Sequence, residues 1–132
     1  MNERGRTAKP AVRDARKRTG ASGEAAAARH LERLGYKTLH RNWRCRTGEI
    51  DIVAEDGDTL VFVEVRTRRR IGTFGTPLES VDARKIRQVR DTALAYLHLN
   101  GKHGCAVRFD VIAVTLGDNG EVAELRHVKM AF

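Results

Sequence analysis

Two carboxylates, Asp51 and Glu64, stand in segments that otherwise read as sheet interior. They belong to GEIDIVAEDGDTLVFVEVR, residues 48–66. Side chains alternate across a strand, so Glu49, Asp51 and Val53 share a face opposite Ile50 and Ile52, while Leu60, Phe62, Glu64 and Arg66 share a face of the next strand. Asp56-Gly57 favours a tight hairpin turn. With Glu55 paired to Asp58, Asp51 lies across from Phe62 and Glu49 across from Glu64, which makes Asp51 and Glu64 diagonal neighbours roughly 7–8 Å apart. One reading is a half-exposed hairpin with a wet polar face. Val53, Leu60 and Phe62 argue against it, because they make that face apolar near the turn and leave the ionisable groups at the other end. The pattern predicts a sheet covered on both sides, with a polar cluster at one edge of its core. Three carboxylates so close repel unless some are protonated or a cation compensates them. Oxygen donors suit a hard divalent ion, Mg²⁺ or Mn²⁺, and no Cys or His sits at zinc spacing.

A further acid comes from the segment before. Glu24 precedes Ala27, Ala28 and Leu31 by three, four and seven residues, so it lies on the core-facing side of a helix. It either satisfies the helix dipole or leans toward Asp51 and Glu64.

The elements that must position these groups follow from periodicity. GASGEAAAARHLERLGY predicts a short amphipathic helix from an N-cap at Ser22 to a stop at Gly35. YKTLHRNWRC, GEIDIVAE and TLVFVEVRT read as strands, the last two forming a hairpin. RRRIGTFGTP reads as a basic loop, after which Ser80 caps a longer helix with the stripe Ile86, Val89, Ala93, Tyr96 and Leu97, ending near NGKHG. CAVRFDVIAVTL and EVAELRHVKMAF complete the chain as strands. The order is α-β-β-β-α-β-β, an α/β fold with a mixed sheet flanked by helices.

Composition narrows the function. The chain has 132 residues and a formal net charge of +8. That is enough for one domain with a core of its own. Residues 1–20 hold seven basic side chains against Glu3 and Asp14, so most of the excess positive charge lies there. Residues 1–19 are therefore expected to be a basic, disordered tail and residues 20–132 the domain. Such charge attracts a polyanion, nucleic acid above all. No apolar run approaches a membrane span, no secretory h-region is present, and Cys45 and Cys105 have no disulfide framework. A cytoplasmic protein with reduced thiols is expected.

GEID at 48–51 and FVEVR at 62–66, with GE at 23–24 in a helix and RFDV at 108–111 in a late strand, are together recognisable. The chain resembles the bacterial YraN family, of the restriction-endonuclease-like superfamily with the PD-(D/E)xK signature, similar in arrangement to archaeal Holliday junction resolvases. The resemblance implies a restriction-endonuclease-like core and hydrolysis of phosphodiester bonds in DNA, branched or single-stranded forms included. It casts Asp51, Glu64 and the carbonyl of Val65 as metal ligands and Glu24 as the helix acid that holds a water of the metal. Arg66 stands where the signature has lysine. Arginine keeps its proton at physiological pH, so it can orient water or phosphate and stabilise developing charge but cannot act as a general base. Lys85 could supply the missing ammonium or simply be a solvated helix lysine. A homodimer is suggested by the resolvase-like relatives.

Arg68, Arg69 and Arg70 form a basic run leaving the Glu64 strand, and Arg41 and Arg44 flank Trp43, which could stack on a base or pack in the core. Asp110 is expected to pair with a nearby arginine, with metal ligation as the lesser option. The alternatives to a nuclease are a non-catalytic nucleic-acid-binding module and an adaptor whose carboxylates only form ion pairs.

Overall fold

A computed structural model describes residues 11–70 and 82–132, with side chains from residue 18 onward. The elements are α1 (Ala11–Arg33), β1 (Lys37–Cys45), β2 (Gly48–Asp56), β3 (Thr59–Arg69), α2 (Ala83–Leu99), β4 (Ala106–Leu116) and β5 (Val122–Val128). The architecture is α/β, with two helices and one five-stranded sheet in spatial order β1-β2-β3-β4-β5. Three neighbouring pairs are antiparallel, and β3 with β4 is parallel. A parallel pair needs a crossover, which is the path that contains α2.

The helices cover opposite faces of the sheet. Against α1 lie Ile52, Ala54, Val61, Val63, Ile112, Val114 and Leu116, packed on Ala27 and Leu31. Against α2 lie Ile50, Val53, Leu60 and Phe62, packed on Val89, Ala93 and Tyr96. β3 is therefore buried on both sides, which is why Leu60 to Val63 is an unbroken apolar run. Trp43 packs edge-on against Tyr96 at a centroid distance of 5.1 Å, so it serves the α2-side core.

Helix α1 spans Ala11–Arg33 among the described residues, so Ser22 sits inside it rather than capping it, and the boundary expected at residue 20 falls within the helix. Its end follows the expectation. Gly35 has φ +89°, its N–H donates to the Glu32 carbonyl, and the Tyr36 N–H donates to the Leu31 carbonyl, closing a Schellman motif over two buried apolar side chains. Helix α2 is capped by Asp82, whose carboxylate accepts from the Lys85 N–H at 2.9 Å; Ser80 lies outside the described residues. Arg68 and Arg69 are not loop. They extend β3 and pair with Thr115 and Leu116 of β4, while Gly72 and Gly75 lie outside the described residues.

The hairpin turn is Gly57-Asp58, one residue later than expected, because Asp56 pairs with Thr59. Gly57 takes φ +61° and Asp58 does not take a positive φ, as in turns that place glycine first. The shift moves the pairing by two residues, so each side of the hairpin keeps its parity, and the last pair of the ladder, Ile52 with Val63, stands next to Asp51 and Glu64.

Candidate functional site

The β2–β3 ladder runs from Asp56↔Thr59 to Ile52↔Val63 and stops there. Beyond it, Asp51 Oδ2 accepts the Val65 N–H at 2.8 Å, so a side chain of β2 holds a backbone group of β3 where the two strands part. Simple alternation also fails at this point. Ile50 packs into the α2-side core and Ile52 into the α1-side core, although residues two apart should share a face. β2 therefore turns about its axis at Asp51, and the carboxylate sits where β2 leaves β3 while still paired with β1.

Glu64 is buried, at 5% exposure. Its Oε2 accepts from Arg66 Nη1 at 3.1 Å and lies 3.5 Å from Lys85 Nζ, so a strand arginine and a residue of the first turn of α2 converge on one oxygen. Lys85 is thus held at the site and not left as a solvated helix lysine. Asp51 has a different environment. Burial first, then the neighbouring Glu64, with smaller contributions from Glu24 and Glu49, pushes its carboxyl up to about 7 against the pull of the Val65 N–H. Among the described residues, no Lys, Arg or His forms an ion pair with it.

Glu24 is half-buried and near enough to act on Asp51 electrostatically. Its position depends on the preceding residue. Gly23 lies against Thr67 of β3 so closely that a Cβ would overlap the threonine side chain, and this contact lets the helix backbone approach the strand. Among the described residues, no three His, Cys, Asp or Glu side chains converge as a ready metal cage. The site offers a pair, Asp51 and Glu64, with the Val65 backbone beside them. Hard oxygen donors of this kind suit a divalent ion such as Mg²⁺ or Mn²⁺ by donor chemistry, with Asp51 the member of the pair that no cation among the described residues engages.

The basic residues divide. Arg66 and Lys85 line a cleft of about 590 Å³ together with Asp82, Arg84 and Gln88. Arg84 and Gln88 were not expected there, although their i, i+4 spacing around Lys85 was visible in the sequence. Arg69 donates to Thr19 Oγ1 at 3.2 Å, and Arg69 and Arg70 are exposed at the outgoing end of β3, with Arg68 half-buried. Arg44 pairs with Glu49 at 3.3 Å on the surface, and Arg41 is exposed on the edge strand β1.

Asp110 lies elsewhere and is fully buried. It accepts from Arg108 Nε at 2.9 Å, from the Met130 N–H at 3.1 Å and pairs with His127 Nε2 at 2.8 Å. Burial pushes its carboxyl up, but these hydrogen bonds outweigh that and hold it below the ordinary carboxylate range. Its oxygens are spent on the protein, so it is the arginine-paired residue expected of it.

Fold and site together define an α/β protein whose mixed sheet carries a half-buried and a buried carboxylate, Asp51 and Glu64, where two neighbouring strands part, beside a cationic cleft. Residues 23–114 match the model of the family described as Uncharacterised protein family UPF0102, and the chain belongs to that family. The matched span includes Glu24, Asp51, Glu64, Arg66 and Lys85. The UPF0102 protein of Moorella thermoacetica is 52% identical over 117 residues, covering 89% of this chain and 97% of that protein. That of Rhodococcus opacus is 47% identical over 113 residues, covering 86% and 94%, and that of Acidothermus cellulolyticus is 53% identical over 110 residues, covering 76% and 83%. No helix among the described residues is long and apolar enough to cross a membrane.

Proposed function

We propose that this protein is a metal-dependent endonuclease of the restriction-endonuclease-like superfamily, hydrolysing phosphodiester bonds in DNA, branched or single-stranded forms included. The observation that carries the reading is Asp51: a half-buried carboxylate, desolvated beside the buried Glu64, with which no cation among the described residues forms an ion pair. A buried acid of that kind is costly unless it serves a bound cation. Asp51, Glu64 and the Val65 carbonyl would hold Mg²⁺ or Mn²⁺. Such an ion polarises a phosphoryl oxygen and makes water a better nucleophile. Arg66 and Lys85 meet the phosphate and stabilise the charge that develops on it. Arg66 stays protonated, so its contribution is electrostatic. Glu24, on α1, is the acid available to orient water. Arg68, Arg69 and Arg70 at the end of β3, and Arg41 and Arg44 on β1, supply contacts to the nucleic-acid backbone that depend on salt and not on sequence.

A second reading, a non-catalytic nucleic-acid-binding module, is favoured by one observation, the arginine in the lysine position of the signature. Incubating wild type, Asp51→Asn and Glu64→Gln with duplex, single-stranded, flap and four-way-junction DNA in Mg²⁺ or Mn²⁺ decides between them. Metal-dependent cutting by wild type, lost in both variants, is expected. Binding without cutting would leave the module, and cutting that survives both substitutions would remove this site from the chemistry.

A further inference from the structure

We propose that the cleft between Arg66 and the first turns of α2 is a phosphate-binding site, and that a nucleic-acid strand entering it draws Arg66 and Lys85 off Glu64, freeing that carboxylate for the metal. The inference rests on the nuclease reading and adds an order to it: the two ligands bind cooperatively.

The geometry supplies the reason. Arg66 Nη1 and Lys85 Nζ lie 3.1 and 3.5 Å from the same Glu64 oxygen, and the glutamate side chain is 6% exposed whereas the cations are 29% and 33% exposed. Both cations thus reach inward to Glu64 while remaining open to the cleft that they line with Arg84, Gln88 and Asp82. Asp82 is engaged by the Lys85 N–H, as the cap of α2. The Gln88 amide donates to the Thr47 carbonyl at 3.2 Å, which fixes the side chain across the cleft wall. Among the described residues, Arg66, Arg84 and Lys85 stand against Asp82 and the Glu64 behind them, so the cleft presents a net positive wall to a phosphodiester.

With the cleft empty, a divalent ion approaching Glu64 meets two positive charges already on its ligand. A phosphate offers the guanidinium a fork-shaped partner and the ammonium a point charge, so both can turn outward without losing their ion pairs. Repulsion on the metal falls, and its affinity rises. Linkage makes the effect reciprocal, so metal must tighten nucleic-acid binding by the same factor.

The test uses the full chain and a fluorescein-labelled single-stranded oligonucleotide, with affinity read by anisotropy in EDTA and in Ca²⁺ at constant ionic strength. Ca²⁺ should tighten binding about fivefold or more, within the usual range of coupling between sites. Arg84→Ala should weaken oligonucleotide binding in both buffers without moving the thermal midpoint, and Gln88→Ala should weaken it in both buffers as well. Lys85→Gln should raise the midpoint shift that Ca²⁺ gives the free protein, and shrink the Ca²⁺ effect on the oligonucleotide. Equal affinity in EDTA and Ca²⁺, with each ligand still binding alone, overturns the coupling and leaves the nuclease reading standing. Unchanged affinity in Arg84→Ala and Gln88→Ala overturns the cleft assignment. No oligonucleotide binding in either buffer overturns both proposals together.

Discussion

Replacing Asp51 by asparagine should stabilise the metal-free protein, and the gain should grow with pH. The carboxyl sits at about 7 in the fold against an ordinary 3.8. The folded chain therefore holds the proton more tightly than the unfolded chain does. Stability contributed by that proton is fully present below the unfolded value, and is lost as pH rises through the folded one. One unit corresponds to 1.36 kcal/mol, so at pH 8 the ionised group costs the fold roughly 4 kcal/mol relative to its neutral form. Asparagine is neutral at every pH, and its carbonyl oxygen can still accept the Val65 N–H. A slightly weaker bond to that N–H leaves a net gain of roughly 2–4 kcal/mol at pH 8 and about zero at pH 4. Urea unfolding of both proteins in EDTA, followed by circular dichroism from pH 4 to 8, measures the difference directly. A variant that is less stable at pH 8, or a difference that stays flat across the range, would refute the argument that Asp51 is buried without a compensating charge. Adding Mg²⁺ should then raise the stability of wild type and leave Asp51→Asn unmoved.

Two further outcomes concern the scaffold. Asp110→Ala takes from Arg108 and His127 their shared carboxylate and leaves Arg108 only its pair with Asp56, which should cost about 3 kcal/mol in urea unfolding because one partner of a buried ion pair is removed. Gly23→Val drives a branched side chain into Thr67 at the crossing of α1 and β3; a loss of about 1–3 kcal/mol is expected, partly restored by Thr67→Gly, and an unchanged thermal midpoint would show that the helix is not seated there as described.

The expected extents and the observed ones part company at particular residues. Ser22 looked like a cap because apolar spacing starts after it, but residues 11–19 have no such stripe to announce them, and their helix is carried by Ala, Arg and Lys propensity in continuity with the packed turns. Asp56-Gly57 looked like the turn because an Asp-Gly pair suits one hairpin type; Gly57-Asp58 suits another, and the ladder chose it. Arg68 and Arg69 read as loop from charge alone, yet parallel pairing with β4 keeps them in the sheet. Thr92 was left off the buried stripe of α2, although its hydroxyl finds the Gln88 carbonyl at 2.8 Å and Thr47 at 3.0 Å.

What sequence determined by itself was local and periodic: the strands, the α2 stripe, the stop at Gly35 and the placing of Asp51 and Glu64 in neighbouring strands. These follow from side-chain alternation and turn chemistry, which act over a few residues. Only tertiary structure decided that Lys85 joins Arg66 on Glu64, that no cation among the described residues pairs with Asp51, and that Arg84 and Gln88 join the cleft wall. Those outcomes depend on how α2 lands on the sheet after its crossover, and on β2 turning about its axis at Asp51. Both are settled by packing among residues far apart in the chain, which no local pattern encodes.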